Sequence, residues 1–380
     1  MDLSYSAEEE AFRARVRDWL AKNVPAAGSV KDLDGLRAWQ RTLHTGGFLG
    51  AAWPKEYGGA GLSPMQQAIL NEELARARAP QVVNAMAIWW VGPAIMRYGT
   101  EEQKKRFIPP ILNAEEIWAT GYSEPSSGSD MAAAKTRAVR DGDHYVVSGQ
   151  KVWTTYAHIS DWYFVLVRTS TEGPKWAGLS LMLMDMRSPG IEIKPIRQID
   201  GGSEFNEVFM NDVRVPVGNL LGKEGQGWEI VSSALVNERS GIAGSIRFDH
   251  SLEWITQTAR EQGKAADPNV RQRIAELATK ATIMRCAGLR SLTDSLNSRM
   301  NPHLSAAMKL LATGLTQEFS ETAMELLGPY AALMDDARAP SNGRWARQYL
   351  GDRSMTIAGG TSEVQRNIIA QRILGLPRNG

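Results

Sequence analysis

Two polar stretches carry the side chains best suited to chemistry. The first, A-T-G-Y-S-E-P-S-S-G-S-D from Ala119, is rich in hydroxyls and small residues and poor in charge. Gly121 and Gly128 would let the backbone come close to a bound group, and Pro125 fixes a bend. Such a loop suits a flat ligand with polar edges, or a phosphate, because its backbone N–H groups are available as donors.

The second stretch, G-Q-K-V-W-T-T from Gly149, sets Trp153 beside the hydroxyls of Thr154 and Thr155. An aromatic face with adjacent donors suits a large ring system that stacks and forms hydrogen bonds at its edge. Residues 140–143, R-D-G-D, are typical of a hairpin turn. We therefore predict that the two stretches form neighbouring strands of one sheet. The alternative, which composition alone favours, is a serine-rich turn beside a buried tryptophan.

The two stretches resemble the flavin-binding signature of the acyl-CoA dehydrogenase family, S-E-P-x-x-G-S-D followed by G-Q-K-x-W-x-T. Three further stretches agree: W-P-K-E-Y-G-G-A-G-L-S at Trp53, Y-G-T-E-E-Q-K at Tyr98, and A-G-G-T-S-E-V-Q-R-N-I-I-A-Q-R at Ala358. The resemblance covers essentially the whole chain, in the family's order. Together these motifs are highly specific, although none decides the family alone.

Composition excludes several other classes. A chain of 380 residues with 43% apolar residues can form two or three domains with sizeable cores. Its net charge of +1 provides no polybasic surface for nucleic acid, and no stretch approaches the length of a membrane span. The start, M-D-L-S, lacks the basic and apolar regions typical of a signal peptide. The single Cys286, interpreted as a core residue, excludes an internal disulfide, so we predict a cytoplasmic location. The histidines lack metal-ligand spacing, so no metal is predicted.

The elements that must position the motifs follow a helix–strand–helix order, which predicts an α+β fold. Capping boxes at Ser6 and Thr100 begin helices in residues 1–118. The resemblance implies an N-terminal helical domain (1–118), a middle β-barrel (119–227) and a C-terminal four-helix bundle (228–380). The predicted strands are 144–147, 162–168, 179–184, 191–196 and 204–210. The predicted C-terminal helices are 228–262, 268–299, 304–327 and 361–374.

The resemblance implies α,β-dehydrogenation of an acyl-CoA thioester, with FAD as the cofactor. In the family a base removes the pro-R α-proton, and the β-hydrogen leaves as a hydride to flavin N5. The thioester carbonyl must be polarised, because its α-proton is only weakly acidic. Relatives polarise it with a ribityl hydroxyl of FAD and one backbone N–H, which here would be that of Gly359 at a predicted helix N-terminus.

The base departs from the family's commonest pattern. Many relatives carry it as Glu in a C-terminal E-G-T, where this chain has Gly359-Gly360-Thr361. A minority carry it in an E-R pair on the first helix of the C-terminal domain, which matches Glu238-Arg239 here. Glu238 is therefore the predicted base, and an ordinary exposed or salt-bridged helical Glu is the alternative. Arg239 is placed at the substrate site, as a structural ion-pair residue rather than a catalytic one.

The resemblance also assigns residues to FAD and to the acyl-CoA. Ser123 takes the position of a ring-bonding threonine, Ser129 also reaches the pantetheine-phosphate region of CoA, and Glu363 replaces a frequent Gln. In relatives the segment with Trp89 and Trp90 lines the acyl pocket, with plain core packing as the alternative for either. The cofactor-binding residues are Thr120, Gly121, Tyr122, Ser123, Ser129, Trp153, Thr155, Thr361 and Glu363.

Two motifs that contact FAD of a partner subunit in relatives are eroded here. In place of R-x-x-F-G the chain has R-E-Q-G-K at Arg260, and in place of Q-x-x-G-G it has E-L-L-G-P at Glu325. This resembles bacterial dehydrogenases that form α2β2 heterotetramers, and it leaves a homotetramer or an α2β2 heterotetramer open. The resemblance implies an electron-transfer flavoprotein as the electron acceptor. A same-fold flavin oxidase or monooxygenase, and a non-catalytic subunit that binds FAD or CoA, are the alternatives.

Overall fold

Three packed regions follow one another along the chain in the computed structural model of the protein. It describes residues 5–26, 29–30, 32–237, 242–297, 299 and 303–377. The first region is helical, the second is a β-sheet and the third is helical again. The predicted α+β fold class is therefore confirmed, while the domain bounds near residues 118 and 227 stay predictions.

The five described α-helices of the first region are α1 (Ala7–Asn23), α2 (Leu33–Thr45), α3 (Pro64–Arg76), α4 (Gly92–Tyr98) and α5 (Glu101–Leu112). Four of them begin at polar capping residues, and α4 instead continues from a preceding helical turn. Before α1 the Ser6 hydroxyl accepts a hydrogen bond from the Glu9 amide, and the Glu9 carboxylate accepts one from the Ser6 amide. The same reciprocal pair starts α5 at Thr100, as predicted, and also α3 at Ser63, which was not predicted.

The described strands form one eight-stranded sheet. They are β1 (Trp118–Gly121), β2 (Arg137–Asp141), β3 (His144–Thr155), β4 (Trp162–Arg168), β5 (Leu179–Asp185), β6 (Ile191–Pro195), β7 (Phe205–Pro216) and β8 (Leu220–Leu221). Their order is β6-β7-β3-β2-β4-β5-β8, and β1 pairs in parallel with β4. The five strands predicted from residue patterns are present as β3 to β7. The short β1, which overlaps the first polar stretch, and β2 and β8 were not among those five.

The predicted hairpin turn is present, but it does not join the two polar stretches. Asp141 pairs with His144 across a tight turn in which Gly142 has a φ of +62°. This turn connects β2 to β3. The prediction that the two polar stretches form neighbouring strands was wrong, because β1 pairs with β4 instead. The loop after β1 reaches β3 by a backbone hydrogen bond from Val152 N to Ser123 O, 3.0 Å long.

The third region is a bundle of long helices. The helices are α6 (Gly227–Asn237), α7 (Ile242–Glu261), α8 (Pro268–Leu296), α9 (Leu304–Leu327), α10 (Arg344–Gly351) and α11 (Ser362–Ile368). The rings of Phe248 on α7 and Phe319 on α9 stack with centroids 5.9 Å apart in the core of the bundle. Helix α11 continues directly into a π-helical turn, Ile369–Ile373. None of the described helices is both long and apolar enough to cross a bilayer.

Cys286 is exposed on α8, so the prediction that it belongs to the core was wrong. Helix α8 buries Leu277, Ala281, Met284 and Gly288. Their spacing of three and four residues defines one stripe, and Cys286 falls off that stripe. The apolar periodicity thus located the helix correctly, but it did not fix which side each residue faces.

A turn of π-helix, Ala87–Val91, lies where the first region contacts the other two. It packs against α6 and β1. The Trp53 indole N–H donates a hydrogen bond to the Ile88 carbonyl oxygen at 3.2 Å. A Cβ atom at Gly92 would lie 2.2 Å from the Trp53 ring, so glycine is needed for this tryptophan to fit. The W-P-K-E-Y motif therefore contributes Trp53 as a support for the π-turn.

Candidate functional site

A buried ion pair fastens the loop after β1 to strand β3. Lys151 Nζ lies 2.8 Å from Glu124 Oε1, and the two side chains are 0% and 6% exposed. The same ammonium donates to the Tyr122 carbonyl oxygen at 3.2 Å. The Glu124 carboxylate also accepts hydrogen bonds from the backbone amides of Lys135 and Thr136, at 2.7 and 2.8 Å. One pair of charges thus joins the loop, β3 and the segment before β2.

Both members of this pair have shifted pKa values. Burial lowers the pKa of Lys151 to about 8, against the opposing effect of the Glu124 charge. Burial also disfavours the ionised form of Glu124, but the Lys151 charge and the hydrogen bonds outweigh it and hold the pKa of Glu124 below its usual value. The pair is therefore charged near neutral pH, and its geometry satisfies the buried charges.

Glu124 and Lys151 were not among the predicted site residues, although the residue pattern of β3 held a signal for Lys151. Along β3 the side chains of Tyr145, Val147 and Lys151 fall on the buried face of a period-two pattern. A lysine at an inward position must find a partner, because an unpaired buried charge is costly. The motif residues E and K of S-E-P and G-Q-K are thus structural supports for the loop.

Trp153 is exposed at the end of β3. Its side chain is 58% accessible to solvent, and its backbone is left-handed, with a φ of +62°. The residue lies in a bulge of the β3–β7 pairing, between Lys151 and Thr154. The bulge breaks the regular alternation and turns the indole away from the sheet core. Phe205 meets it edge-on, with ring centroids 6.3 Å apart, so an aromatic face remains available for stacking.

Four of the predicted hydroxyls have no hydrogen-bond partner within the described part of the chain. They belong to Thr120 and Ser123, at the end of β1, to Ser129 in the exposed loop, and to Thr155 at the end of β3. Hydroxyls donate and accept, and so they can meet both kinds of group on a ligand edge. Hydroxyls without a partner among the described residues, on β1 with the loop after it and on β3, which carries the exposed Trp153, fit a flat, polar-edged ring system such as a flavin.

Tyr163 alone explains why residue 121 is glycine. A Cβ atom at Gly121 would lie 2.2 Å from Tyr163 Cζ. Tyr163 is fully buried in the sheet core, and its hydroxyl shares a hydrogen bond of 2.8 Å with Thr154. Close approach of the backbone to a bound group is therefore not needed to account for Gly121, whose assignment to FAD stays a prediction. At Gly128, by contrast, a Cβ atom would meet nothing within 4 Å.

We expect Gly121→Ala to lower the free energy of unfolding by about 1–3 kcal/mol, because the added methyl group overlaps the Tyr163 ring. Gly128→Ala is the matched control from the same loop, and it should change stability by less than about 0.5 kcal/mol. Denaturant unfolding of both variants measures the difference. Equal stability of the two variants would show that Tyr163 does not constrain position 121.

The two tryptophans of the π-turn differ in exposure. Trp89 is 48% exposed and is therefore not a core residue. Trp90 is partly buried, and its indole N–H is shielded from solvent without a hydrogen-bond partner among the described residues. The π-turn that carries both tryptophans packs against α6, the helix that leads to residue 238, and against β1, the strand that leads to the polar loop.

The Gly359-Gly360 turn precedes α11 in a left-handed conformation, with φ values of +65° and +91°. Gly359 is exposed, and within the described part of the chain no group accepts a hydrogen bond from its N–H. Thr361 caps α11 by accepting a hydrogen bond from Val364 N at 3.3 Å. Glu363 is exposed, and its own backbone N–H and the Thr361 hydroxyl lower its pKa. Within the described part of the chain the turn therefore offers the Gly359 N–H as an unpaired backbone donor, and no acceptor is found for the Gly360 N–H either.

Glu238 and Arg239 lie outside the described residues. Helix α6 ends at Asn237 and α7 begins at Ile242. Helix α6 packs against the π-turn and against β5 of the sheet. The segment with the predicted base thus connects two helices whose positions are described, and the roles of Glu238 and Arg239 stay predictions.

Known domains match the chain in the order of its three regions. The N-terminal, middle and C-terminal domains of acyl-CoA dehydrogenase match residues 6–115, 119–213 and 225–374. Together they span nearly all of the described helices and strands. The chain belongs to the acyl-CoA dehydrogenase family, a family of oxidoreductases, and the predicted resemblance is confirmed.

Particular relatives match it over their whole length. Acyl-CoA dehydrogenase IpdE1 of Mycobacterium tuberculosis (strain ATCC 25618 / H37Rv) is 40% identical over 384 residues, which cover 97% of this chain and 98% of the relative. The crystal structure of the ChsE4-ChsE5 complex from Mycobacterium tuberculosis matches with a TM-score of 0.88 and 34% identity, over 100% of both chains. The Tcur3481-Tcur3483 steroid ACAD matches with a TM-score of 0.88 and 31% identity, also over 100% of both.

Proposed function

We propose that the chain binds FAD and removes hydrogen from Cα and Cβ of an acyl-CoA thioester, giving the trans-2-enoyl-CoA. Family membership supports acyl-CoA dehydrogenation. The observation that carries the proposal for this chain is the exposed, left-handed Trp153 at the bulge of β3. Trp153 is distinguished by the left-handed bulge that turns its indole outward. Hydroxyls without a partner among the described residues, on β1, on the loop after it and on β3, add the character of a flavin site.

The residues that would hold FAD belong to the polar loop, β3 and α11. Trp153 and Thr155 would lie at the isoalloxazine ring, with the segment from Thr120 to Ser123 along it. Thr361 and Glu363 would contact the ADP part. FAD, when bound, accepts the β-hydrogen of the acyl group as a hydride. The chain's own contribution is to orient the ring, to exclude water from it and to handle the α-proton.

In this proposal Glu238 is the base that removes the α-proton. A carboxylate buried against an apolar acyl chain has a raised pKa, which suits it to accept a proton from carbon. The Gly359 N–H donates a hydrogen bond to the thioester carbonyl oxygen, where negative charge develops as the proton leaves. Its freedom from any acceptor among the described residues supports this role.

The acyl group is proposed to derive from a steroid. The Tcur3481-Tcur3483 structure is that of a steroid ACAD, and it matches the entire chain. Trp89 and Trp90 provide large aromatic surfaces at the π-turn, and such surfaces suit a bulky apolar acyl group. Ser129 is proposed to contact the pantetheine-phosphate region of CoA, and Arg239 to support the site from beside Glu238.

The chain is proposed to work in an α2β2 heterotetramer with a related subunit and to pass electrons to an electron-transfer flavoprotein. The ChsE4-ChsE5 structure is a complex of two differently named chains. The two eroded motifs of this chain also bind each other, because Lys264 Nζ donates to the Leu326 carbonyl oxygen at 2.7 Å. Lys264 thus makes a hydrogen bond within its own chain, at the place where homotetrameric relatives contact the FAD of a partner subunit. This supports an interface that differs from the one in those relatives.

The test is to purify the chain alone and co-expressed with its related subunit, count the FAD bound per chain, and add acyl-CoA without oxygen. Steroid-derived acyl-CoA should bleach the flavin absorbance faster than butyryl-CoA. Rapid reaction of the reduced flavin with O2 would favour the oxidase alternative. A flavin that no acyl-CoA bleaches, with or without the partner, would instead indicate a non-catalytic subunit.

A further inference from the structure

Two side chains hold the carbonyl groups of the Gly359-Gly360 turn. The buried Gln365 donates from Nε2 to Gly359 O at 2.9 Å and to Gly360 O at 3.3 Å. Lys309 of α9 donates from Nζ to Gly360 O at 2.8 Å. The turn is therefore attached to two different helices, α11 through Gln365 and α9 through Lys309.

The segment before the turn is held as well. Ala358 N donates to Ser354 O at 2.9 Å. Gln317 of α9 donates from Nε2 to Asp352 O at 3.1 Å. The Ala358 N–H and the Gly359 carbonyl group, on either side of the Ala358–Gly359 peptide bond, thus both have hydrogen-bond partners. The Gly359 N–H, which belongs to that peptide bond, has no acceptor among the described residues.

Fixed partners matter here because two consecutive glycines are otherwise the least restrained stretch a chain can have. A donor that stabilises developing charge is effective only if it is oriented before the charge appears. Gly360 and Gln365 also fit each other closely, since a Cβ atom at Gly360 would lie 2.7 Å from Gln365 Nε2. The glutamine therefore occupies the space that a side chain at position 360 would need.

We propose that Gln365 is a positioning residue for the Gly359 amide, with Lys309 as its second support. Gln365 acts through the turn and does not touch the substrate. This inference rests on the proposed role of the Gly359 N–H as donor to the thioester oxygen. It explains why a glutamine and a lysine from separate helices meet at two backbone oxygens of an exposed loop.

The test uses Gln365→Met in the FAD-loaded protein with its partner subunit. Methionine keeps the length of the side chain and removes the donor. It also removes the Gln365 Oε1 atom, which is buried without a partner among the described residues, so the variant should fold. The probe is acetoacetyl-CoA, whose enolate absorbance gives the pKa of the bound α-carbon without any turnover. A well-oriented Gly359 donor should lower that pKa below its value in solution.

We expect Gln365→Met to reduce the ionisation constant of bound acetoacetyl-CoA roughly tenfold and to reduce kcat by a similar factor, with KM nearly unchanged. Gln40→Met is the matched control. Gln40 is equally buried and also donates to a backbone carbonyl, that of Ile111 at 2.7 Å, but in the first region. It should lower stability and leave the pKa of the bound ligand unchanged.

Lys309 provides a second, independent variant pair. Lys309→Arg keeps a charged donor and should retain the wild-type pKa of the ligand, whereas Lys309→Met should raise it. An unchanged ligand pKa in both Gln365→Met and Lys309→Met would overturn the inference, as would an equal shift in Gln40→Met. A wild-type protein that binds acetoacetyl-CoA without lowering its pKa would overturn the Gly359 donor and this inference together. Failure to bind any acyl-CoA would instead contradict the proposed function.

Discussion

Replacing Glu238 by glutamine should lower the rate of flavin reduction by acyl-CoA by ~10²–10⁴-fold, the usual contribution of a well-placed general base. Glutamine keeps the size and hydrogen-bonding capacity of the side chain and removes its basicity. Position 359 is glycine, so it cannot supply the carboxylate that many relatives carry there. The variant should still fold, hold FAD and bind acyl-CoA. Anaerobic stopped-flow bleaching of the flavin measures the effect.

Glu229→Gln is the matched control for this experiment. Glu229 lies on α6, the same helix that leads to Glu238, and its carboxylate accepts hydrogen bonds from the Tyr98 hydroxyl at 3.1 Å and from Gln226 at 3.2 Å. The Glu229→Gln variant should reduce its flavin at the wild-type rate. Adding Gly359→Glu to Glu238→Gln should recover part of the activity. Bleaching of Glu238→Gln at the wild-type rate would exclude Glu238 as the base.

Lys151→Met should lower the free energy of unfolding by about 3–5 kcal/mol, because it leaves the Glu124 carboxylate buried without its counter-charge. The loop that Glu124 holds against β3 carries several of the predicted FAD residues, among them Ser123 and Ser129, so FAD content should fall as well. Denaturant unfolding and the flavin-to-protein absorbance ratio measure the two effects. The double variant Lys151→Met/Glu124→Gln removes both charges, and it should be more stable than the sum of the single effects implies.

Lys175→Met is the control that distinguishes the loss of a buried ion pair from the loss of any ion pair. Lys175 pairs with Asp130, the last residue of the same polar stretch, but both side chains are exposed. Its loss should cost no more than about 1 kcal/mol, since water screens exposed pairs. Comparable destabilisation by Lys151→Met and Lys175→Met would mean that burial of the Glu124 pair adds nothing to stability.

Local patterns predicted the helices and most strands well, because capping and periodicity act within a few residues. Ser6 and Thr100 marked helix starts, and the predicted 304–327 segment is the observed α9. Sheet pairing was predicted poorly, since it depends on residues far apart. The hairpin at Gly142 was visible, but nothing local to Trp118–Gly121 indicates that its partner is β4.

Motif resemblance predicted which residues belong to the candidate site, but it did not predict their backbone conformation or their hydrogen-bond partners. Resemblance identified Trp153 and Gly359, but neither the left-handed backbone of Trp153 nor the unpaired Gly359 N–H follows from residue type. Those properties arise from the bulge opposite β7 and from the side chains that hold the turn. Gln365 lies within the motif at Ala358, yet its partners became apparent only once α11 was placed against the two glycines.

The π-turn at Ala87–Val91 has a consequence for comparing this protein with others. A π-turn is an α-helix with one extra residue, so deleting one residue between positions 87 and 91 would restore regular winding. Everything N-terminal to the deletion would then rotate by about 100° around the helix axis, because an α-helix has 3.6 residues per turn. Trp89 and Trp90 would face different neighbours. An alignment of relatives that lack this turn therefore needs a one-residue gap here, and an ungapped alignment would mismatch Trp89 and Trp90, the residues proposed to face the acyl group.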